Sequence, residues 1–257
     1  MAGKAGNSGQ KRRRKTITRA EAVKRLGAMV KAIHRDLERA LAIEAALEEA
    51  NGIVNATPDQ VRPGPGAYST VSSSLAFDLA MTLARLFEPM PAEQAKGGRR
   101  RLVPYKTERA TIPLIVHLLR QKRCRDDLAA LARQWIPHMP SIADSQEAAC
   151  RKASADAAEA YAEFRRDPDG RRGVARLNAL RNNVFAHTLW KEFEGPGPRY
   201  RQLFRLADTA RDVVAAALFA INGHNADFLD VERIRREDAQ RFWTHALRPV
   251  EDEHESE

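Results

Sequence analysis

Apolar residues recur at helical spacing along most of this 257-residue chain, and no segment alternates apolar and polar residues long enough to predict a sheet. The first helical pattern follows Thr18 and Glu21, which have the spacing of a capping box and predict a helix start. Gly52 fits the left-handed residue that ends many helices, so this helix is expected to end there. The pattern predicts an all-α fold.

Seven further helices are predicted from the same spacing and from residues typical of helix boundaries. They are expected at about residues 68–87, after a capping Thr111, and at 128–135, 141–165, 174–190, 200–222 and 231–247. Three segments are predicted to be loops or turns: the Pro- and Gly-rich 58–66, the basic 88–110 and the DPDG sequence at 167–170.

Charge and composition divide the chain into one domain and two tails. Residues 1–17 are basic and nearly devoid of apolar side chains, which predicts a disordered tail. Residues 248–257 are rich in acidic side chains and are expected to form a flexible tail. The sequence thus predicts a single all-helical domain at 18–247.

Outside the N-terminal tail, basic residues are densest between Lys96 and Arg125, where ten of them accompany one acidic residue. A solvated helix face explains part of this density, and a phosphate-facing surface explains all of it. The residues expected to bind nucleic acid are Arg99, Arg100, Arg101, Arg120, Lys122 and Arg123.

The sequence offers no membrane span and no metal-ligand pattern. The longest apolar runs, 112–119 and 213–221, are far shorter than the roughly 20 residues a span needs. The basic N-terminus lacks the apolar stretch of a secretory signal. Cys124 and Cys150 have no partner at zinc-ligand spacing and are expected to be reduced thiols. We therefore expect a cytoplasmic protein without a membrane partner and without a metal or other cofactor.

The sequence RNNVFAH at 181–187 combines Arg181, Asn182 and His187 near the end of a predicted helix. Helical residues six positions apart differ by about 120° in direction and about 9 Å along the axis. Arg181 and His187 therefore flank the apolar stripe instead of sharing it. A long arginine can still reach toward the histidine, or a two-fold partner can bring a second copy of the pair across a groove.

This Arg-polar-x-x-x-x-His pattern resembles the HEPN superfamily. The preceding sequences SSSLAFDLAMTLARLFE (72–88) and TIPLIVHLLR (111–120) resemble its abortive-infection U-type branch, and the resemblance extends from about residue 18 to 247. It implies a HEPN-like helical bundle with additional flanking helices, which dimerises and places both motif copies in one cleft. Many such proteins are metal-independent ribonucleases of phage defence and toxin–antitoxin systems.

The resemblance implies that Arg181 and His187 are the catalytic pair and that Asn182 occupies the family's polar position. RNA, a second copy of the chain and an antitoxin protein are the partners it implies. The residue types suit RNA cleavage, because imidazole transfers protons near neutral pH and a guanidinium stays charged beside a phosphorane.

Two alternatives remain open at this point. The fold could serve as a non-catalytic helical module that binds RNA or a protein through the same groove. It could also be a structural dimer, with His187 packed at the helix end and Arg181 bridged to a carboxylate such as Asp78. That second alternative expects Arg181 and His187 to be buried and hydrogen-bonded within one chain. For Asp78 itself, a structural salt bridge is favoured over a site role because it lies close to an apolar stripe.

Overall fold

The computed structural model describes residues 18–60, 64–94, 100–103, 107–182 and 197–248. Within these ranges the chain forms eight helices, and the all-α prediction is confirmed. They are α1 (Arg19–Ala56), α2 (Pro65–Leu86), α3 (Ile112–Leu119), α4 (Lys122–Ala132), α5 (Ala143–Arg166), α6 (Pro168–Leu180), α7 (Tyr200–Asn222) and α8 (Phe228–Ala246). The predicted tails lie outside the described residues, apart from Arg248.

A short hairpin interrupts the segment that the sequence predicts to be a basic loop. Strands β1 (Ala92–Gln94) and β2 (Arg100–Leu102) pair antiparallel, with Ala92 opposite Leu102. The backbone N–H of Val103 also donates to the carbonyl of Pro91. Three residues a strand are too few to show an alternating pattern, so the sequence did not predict this pairing.

The first helix begins as predicted and ends later. The Thr18 hydroxyl accepts a hydrogen bond from the Glu21 N–H at 3.2 Å, which confirms the start. The prediction that Gly52 ends α1 is wrong, since the helix continues to Ala56. Ile53 and Val54 pack against a small core around Trp243 of α8. This burial favours one more helical turn over the glycine stop.

The DPDG sequence begins a helix instead of forming a turn. The Asp167 carboxylate accepts a hydrogen bond from the Asp169 N–H at 3.0 Å, and Pro168 occupies the first helical position. Proline is favoured there because its missing N–H would have no helical partner. Helix α6 therefore starts six residues before the predicted Val174, and Gly170 packs directly against Phe164.

Two other predicted boundaries are also wrong. Ser141 does not cap α5, because a 3₁₀ turn at Pro140–Ile142 precedes that helix and Ile142 occupies the cap position. Helix α4 begins at Lys122 and not at Leu128. By contrast, Thr111 caps α3 as predicted, with its hydroxyl accepting from the Leu114 N–H at 3.4 Å.

Helix α7 supplies much of the core and positions α6. Leu206 and Ala210 on α7 are fully buried, and α7 packs against α1, α5 and α6. Gly173 of α6 lies close to Gln202 and Leu206, which allows the two helix backbones to approach. This packing fixes α6 against α7, and α6 also contacts α2.

One carboxyl group lies inside the helical core. Glu44 of α1 is 8% exposed. Burial is the main cause that raises its pKa to about 8, and the negative charges of Glu48, Asp208 and Glu232 raise it further. Arg236 opposes these effects. Burial of Glu44 therefore lowers the stability of the fold at any pH at which its carboxyl group is ionised in the unfolded chain.

We expect Glu44→Gln to stabilise the fold at pH 8 and to have little effect at pH 4.5. The pKa of Glu44 is raised in the folded state, so native stability falls as pH rises from about 4.5 to about 8. The neutral amide removes this loss, and the melting temperature at pH 8 should rise on the order of 5 °C. Thermal melts across this pH range, with the exposed Glu163→Gln as control, measure the difference. A gain that does not depend on pH would contradict this assignment.

Candidate active site at the end of α6

Arg181 directly follows α6, and the backbone at Arg181 and Asn182 is π-helical. Such turns often occur at functional sites. The Arg181 Nη1 atom lies 3.1 Å from Oε1 of Glu88, and its Nε donates to the Asn182 side-chain oxygen at 3.4 Å. The Arg181 side chain is 28% exposed. Its guanidinium is thus held on two sides and still accessible.

His187, the second member of the predicted pair, lies outside the described residues, as does Asn183. The predicted Arg181–His187 pair therefore stays a prediction. Of the three predicted catalytic residues, Arg181 and Asn182 are placed together at the end of α6, with the Asn182 side chain exposed.

Glu88 lies two residues beyond α2 and connects two arginines that are distant in sequence. The same Oε1 atom that faces Arg181 also forms an ion pair with Nη1 of Arg109. Glu88 is 14% exposed and Arg109 is 69% exposed. We call Arg109, Glu88 and Arg181 the Glu88 cluster. With two guanidiniums and one carboxylate it carries a net charge of +1.

Arg181 and Asp78 form separate ion pairs with different partners. The suggestion that Arg181 bridges to Asp78 is wrong, since Glu88 is its partner. Asp78 instead pairs with Arg39 of α1 at 2.6 Å, which confirms the structural salt bridge. Asp78 lies in the middle of α2 beside α1, whereas Glu88 lies beyond the end of α2, within reach of the end of α6.

A cleft opens beside Glu88, with a volume of about 320 Å³. We call it the Glu88 cleft; its lining residues are Glu88, Pro89, Met90, Pro91, Thr107, Arg109 and Thr111. The Thr107 hydroxyl accepts a hydrogen bond from the backbone N–H of Arg109 at 3.1 Å, which orders the segment that carries this arginine. A larger cavity of about 700 Å³ lies between the ends of α1 and α8, and its lining includes no residue of the Glu88 cluster.

The predicted nucleic-acid-binding residues are spread over two parts of the molecule. Arg120, Lys122 and Arg123 are exposed at the junction of α3 and α4, where Arg120 donates to the carbonyl oxygen of Ala158 at 3.0 Å. Arg100 and Arg101 lie in β2, and Arg99 lies outside the described residues. In the described part of the chain, no hydrogen bond or ion pair joins Arg120, Lys122 or Arg123 to Arg181.

Sequence reasoning missed Glu88 and Arg109. Glu88 is the last letter of the sequence SSSLAFDLAMTLARLFE, where an acidic residue directly after an apolar helix was the only local signal. Arg109 belongs to the basic segment but stands apart from its runs. Their pairing with Arg181 depends on three separate elements meeting in space, which no spacing rule encodes.

The remaining reactive side chains do not add to this site. Cys124 and Cys150 are free and buried, and burial raises the pKa of each thiol to about 11. Both therefore stay protonated at neutral pH, as expected for reduced structural cysteines. Among the described residues, no group of three or more His, Cys, Asp or Glu side chains is placed to hold a metal ion. None of the helices described here has the length and apolar content needed to cross a membrane.

Comparison with known proteins identifies one family. The chain matches the AbiU2 family of HEPN domains over residues 24–242. No curated protein and no solved structure was found to match. The matched region spans well over half of the chain and includes the Glu88 cluster and the RNNVFAH sequence. The chain therefore belongs to the AbiU2 family of the HEPN superfamily.

Proposed function

We propose that the protein is a metal-independent endoribonuclease that acts in phage defence or in a toxin–antitoxin system. Its active form is a cytoplasmic homodimer with two copies of the Arg181/His187 pair at one cleft, and an antitoxin protein restrains it. The observation that carries this proposal is the Arg181 side chain, held by Glu88 and Asn182 at the helix end and still 28% exposed.

The residues suit cleavage by the RNA's own 2′-hydroxyl. His187 removes the proton from this hydroxyl, and its oxygen attacks the adjacent phosphorus. The bond from phosphorus to the 5′-oxygen breaks, and that oxygen takes a proton from an imidazolium or from water, which leaves a 2′,3′-cyclic phosphate and a 5′-hydroxyl. Arg181 donates hydrogen bonds to the phosphorane oxygens as their negative charge grows. Asn182 orients the guanidinium through its side-chain oxygen.

Cleavage of labelled single-stranded RNA in excess EDTA tests the proposal. A matched RNA with 2′-O-methyl groups lacks the nucleophile and should remain intact. Cleavage of the unmodified RNA alone, with cyclic phosphate ends, would establish the reaction. Cleavage that needs added metal, or that also occurs in the 2′-O-methyl RNA, would rule out this mechanism.

The second candidate is a module that binds RNA or a protein through the same groove without cleaving. The Arg181–Glu88 ion pair forms within one chain and needs no catalytic role, and the 28% exposure of Arg181 leaves it able to contact a ligand. That exposure differs from the full burial that a purely structural role predicts. Tight binding of RNA that is never cleaved, with or without a second copy of the chain, would favour this candidate.

A further inference from the structure

The Glu88 cluster contains a second guanidinium, that of Arg109, which has no role in the proposed cleavage reaction. Resting on the proposed function, we propose that the Glu88 cleft binds a backbone phosphodiester of the RNA next to the one that is cut. Arg109 supplies the binding guanidinium, and Glu88 is a positioning residue that holds Arg109 and Arg181 in one arrangement.

Within the described ranges, few of the hydrogen-bond donors of the Glu88 cluster have an acceptor. A guanidinium has five N–H donors. Among the described residues, Arg109 directs only Nη1 to a side-chain acceptor, Glu88, while Arg181 directs Nη1 to Glu88 and Nε to Asn182. Both arginines therefore keep donors that can bind phosphate oxygens, which are the strongest acceptors in single-stranded RNA.

The charge of the Glu88 cluster fits one phosphodiester. Two guanidiniums beside one another repel, and a shared carboxylate removes most of that repulsion at close range. A net charge of +1 remains, which complements the single negative charge of a phosphodiester. Without Glu88 the same place would carry +2, and each arginine would lose the partner that fixes its position.

The walls of the Glu88 cleft favour a fixed site over a mobile one. Pro89 and Pro91 restrict the backbone beside Glu88 because each proline ring fixes its own φ angle. On the other wall, Thr107 binds the backbone of Arg109, and Thr111 caps α3. The Arg109 side chain is exposed, while the backbone of its short segment is ordered by the Thr107 hydrogen bond and continues into the start of α3.

The first test measures RNA binding without cleavage. A 2′-O-methyl single-stranded oligonucleotide is titrated at several salt concentrations, and the slope of log K against log salt counts the phosphates neutralised. We expect Arg109→Ala to weaken binding and to reduce the slope by about 0.7, the value for one phosphate of a single strand. Arg109→Lys should keep the slope, because a lysine also binds phosphate as a point charge.

Arg39→Ala is the matched control for charge and ion pairing. Arg39 of α1 is 59% exposed and forms an ion pair with Asp78 of α2. Arg109 likewise forms an ion pair with one carboxylate, that of Glu88. Arg39 lies outside the Glu88 cleft. A slope change in Arg109→Ala no larger than that in Arg39→Ala would overturn the phosphate site. Failure of the native chain to bind the oligonucleotide would overturn it as well.

The second test separates a positioning role for Glu88 from a structural one. Glu88→Gln keeps the size of the side chain and removes its charge. We expect the Kd for 2′-O-methyl RNA to fall severalfold, because a repelling charge is gone, and kcat on unmodified RNA to fall about 10- to 100-fold through loss of orientation. A variant that only lowers Tm, with unchanged Kd and kcat, would assign Glu88 a structural role.

The two tests keep this inference separate from the proposed function. If the native chain binds 2′-O-methyl RNA and Arg109→Ala lowers the slope, the phosphate site stands even when no RNA is cleaved. If RNA is cleaved but the slope is unchanged in Arg109→Ala, the nuclease stands and the phosphate site fails.

Discussion

Replacing His187 with alanine is expected to reduce RNA cleavage by about 10²- to 10⁴-fold, the usual contribution of one positioned acid–base group. The loss should appear in kcat, because in the proposed mechanism the imidazole moves a proton while arginines bind the RNA phosphates. The Kd for 2′-O-methyl RNA and the melting temperature should stay close to those of the native protein. Initial rates in excess EDTA, with the same RNA and protein concentrations, measure this effect.

The choice of controls decides what a loss in His187→Ala means. His138→Ala removes an exposed histidine from the connection between α4 and α5 and should leave the rate unchanged. Arg181→Ala should lose a comparable factor, and the double variant should be no slower than the slower single one, since catalytic residues that act as a unit are not additive. Equal cleavage by the native chain and His187→Ala would mean that the catalytic residues lie elsewhere.

Features that depend on neighbours in sequence could be predicted. The caps at Thr18 and Thr111 and the end of α7 at Asn222 are confirmed, because each depends on one side chain or one backbone conformation beside a strong apolar pattern. The family also followed from local sequence, because RNNVFAH and the two apolar helices before it are continuous stretches.

Features that depend on tertiary contacts could not be predicted. Gly52 has the right chemistry for a helix stop, but packing of Ile53 beside Trp243 extends the helix past it. Glu88 and Arg181 are separated in sequence by four whole helices, α3 to α6, and their contact exists only because α6 and α2 pack together. Sequence patterns identified the arginine of the candidate site and missed the carboxylate that holds it.

Replacing Gly223 with alanine is expected to destabilise the fold by about 2–5 kcal/mol, from two separate causes. Gly223 ends α7 with a φ of 67°, which costs an alanine roughly 1–2 kcal/mol. A Cβ at this position would also lie 2.7 Å from the ring of Trp135, which packs edge-on against Phe219. Overpacking of this kind costs about 1–3 kcal/mol. Chemical denaturation of both proteins measures the sum.

Two further variants separate these causes. Gly27 lies inside α1 with no atom within 4 Å of a Cβ, so Gly27→Ala should stabilise the helix by about 0.5–1 kcal/mol. Trp135→Leu removes the ring, and Gly223→Ala in that background should retain only the cost of the left-handed backbone. If Gly223→Ala cost the same with and without the ring, Trp135 would be free to move aside. The whole cost of Gly223→Ala would then come from the left-handed backbone conformation at the end of α7.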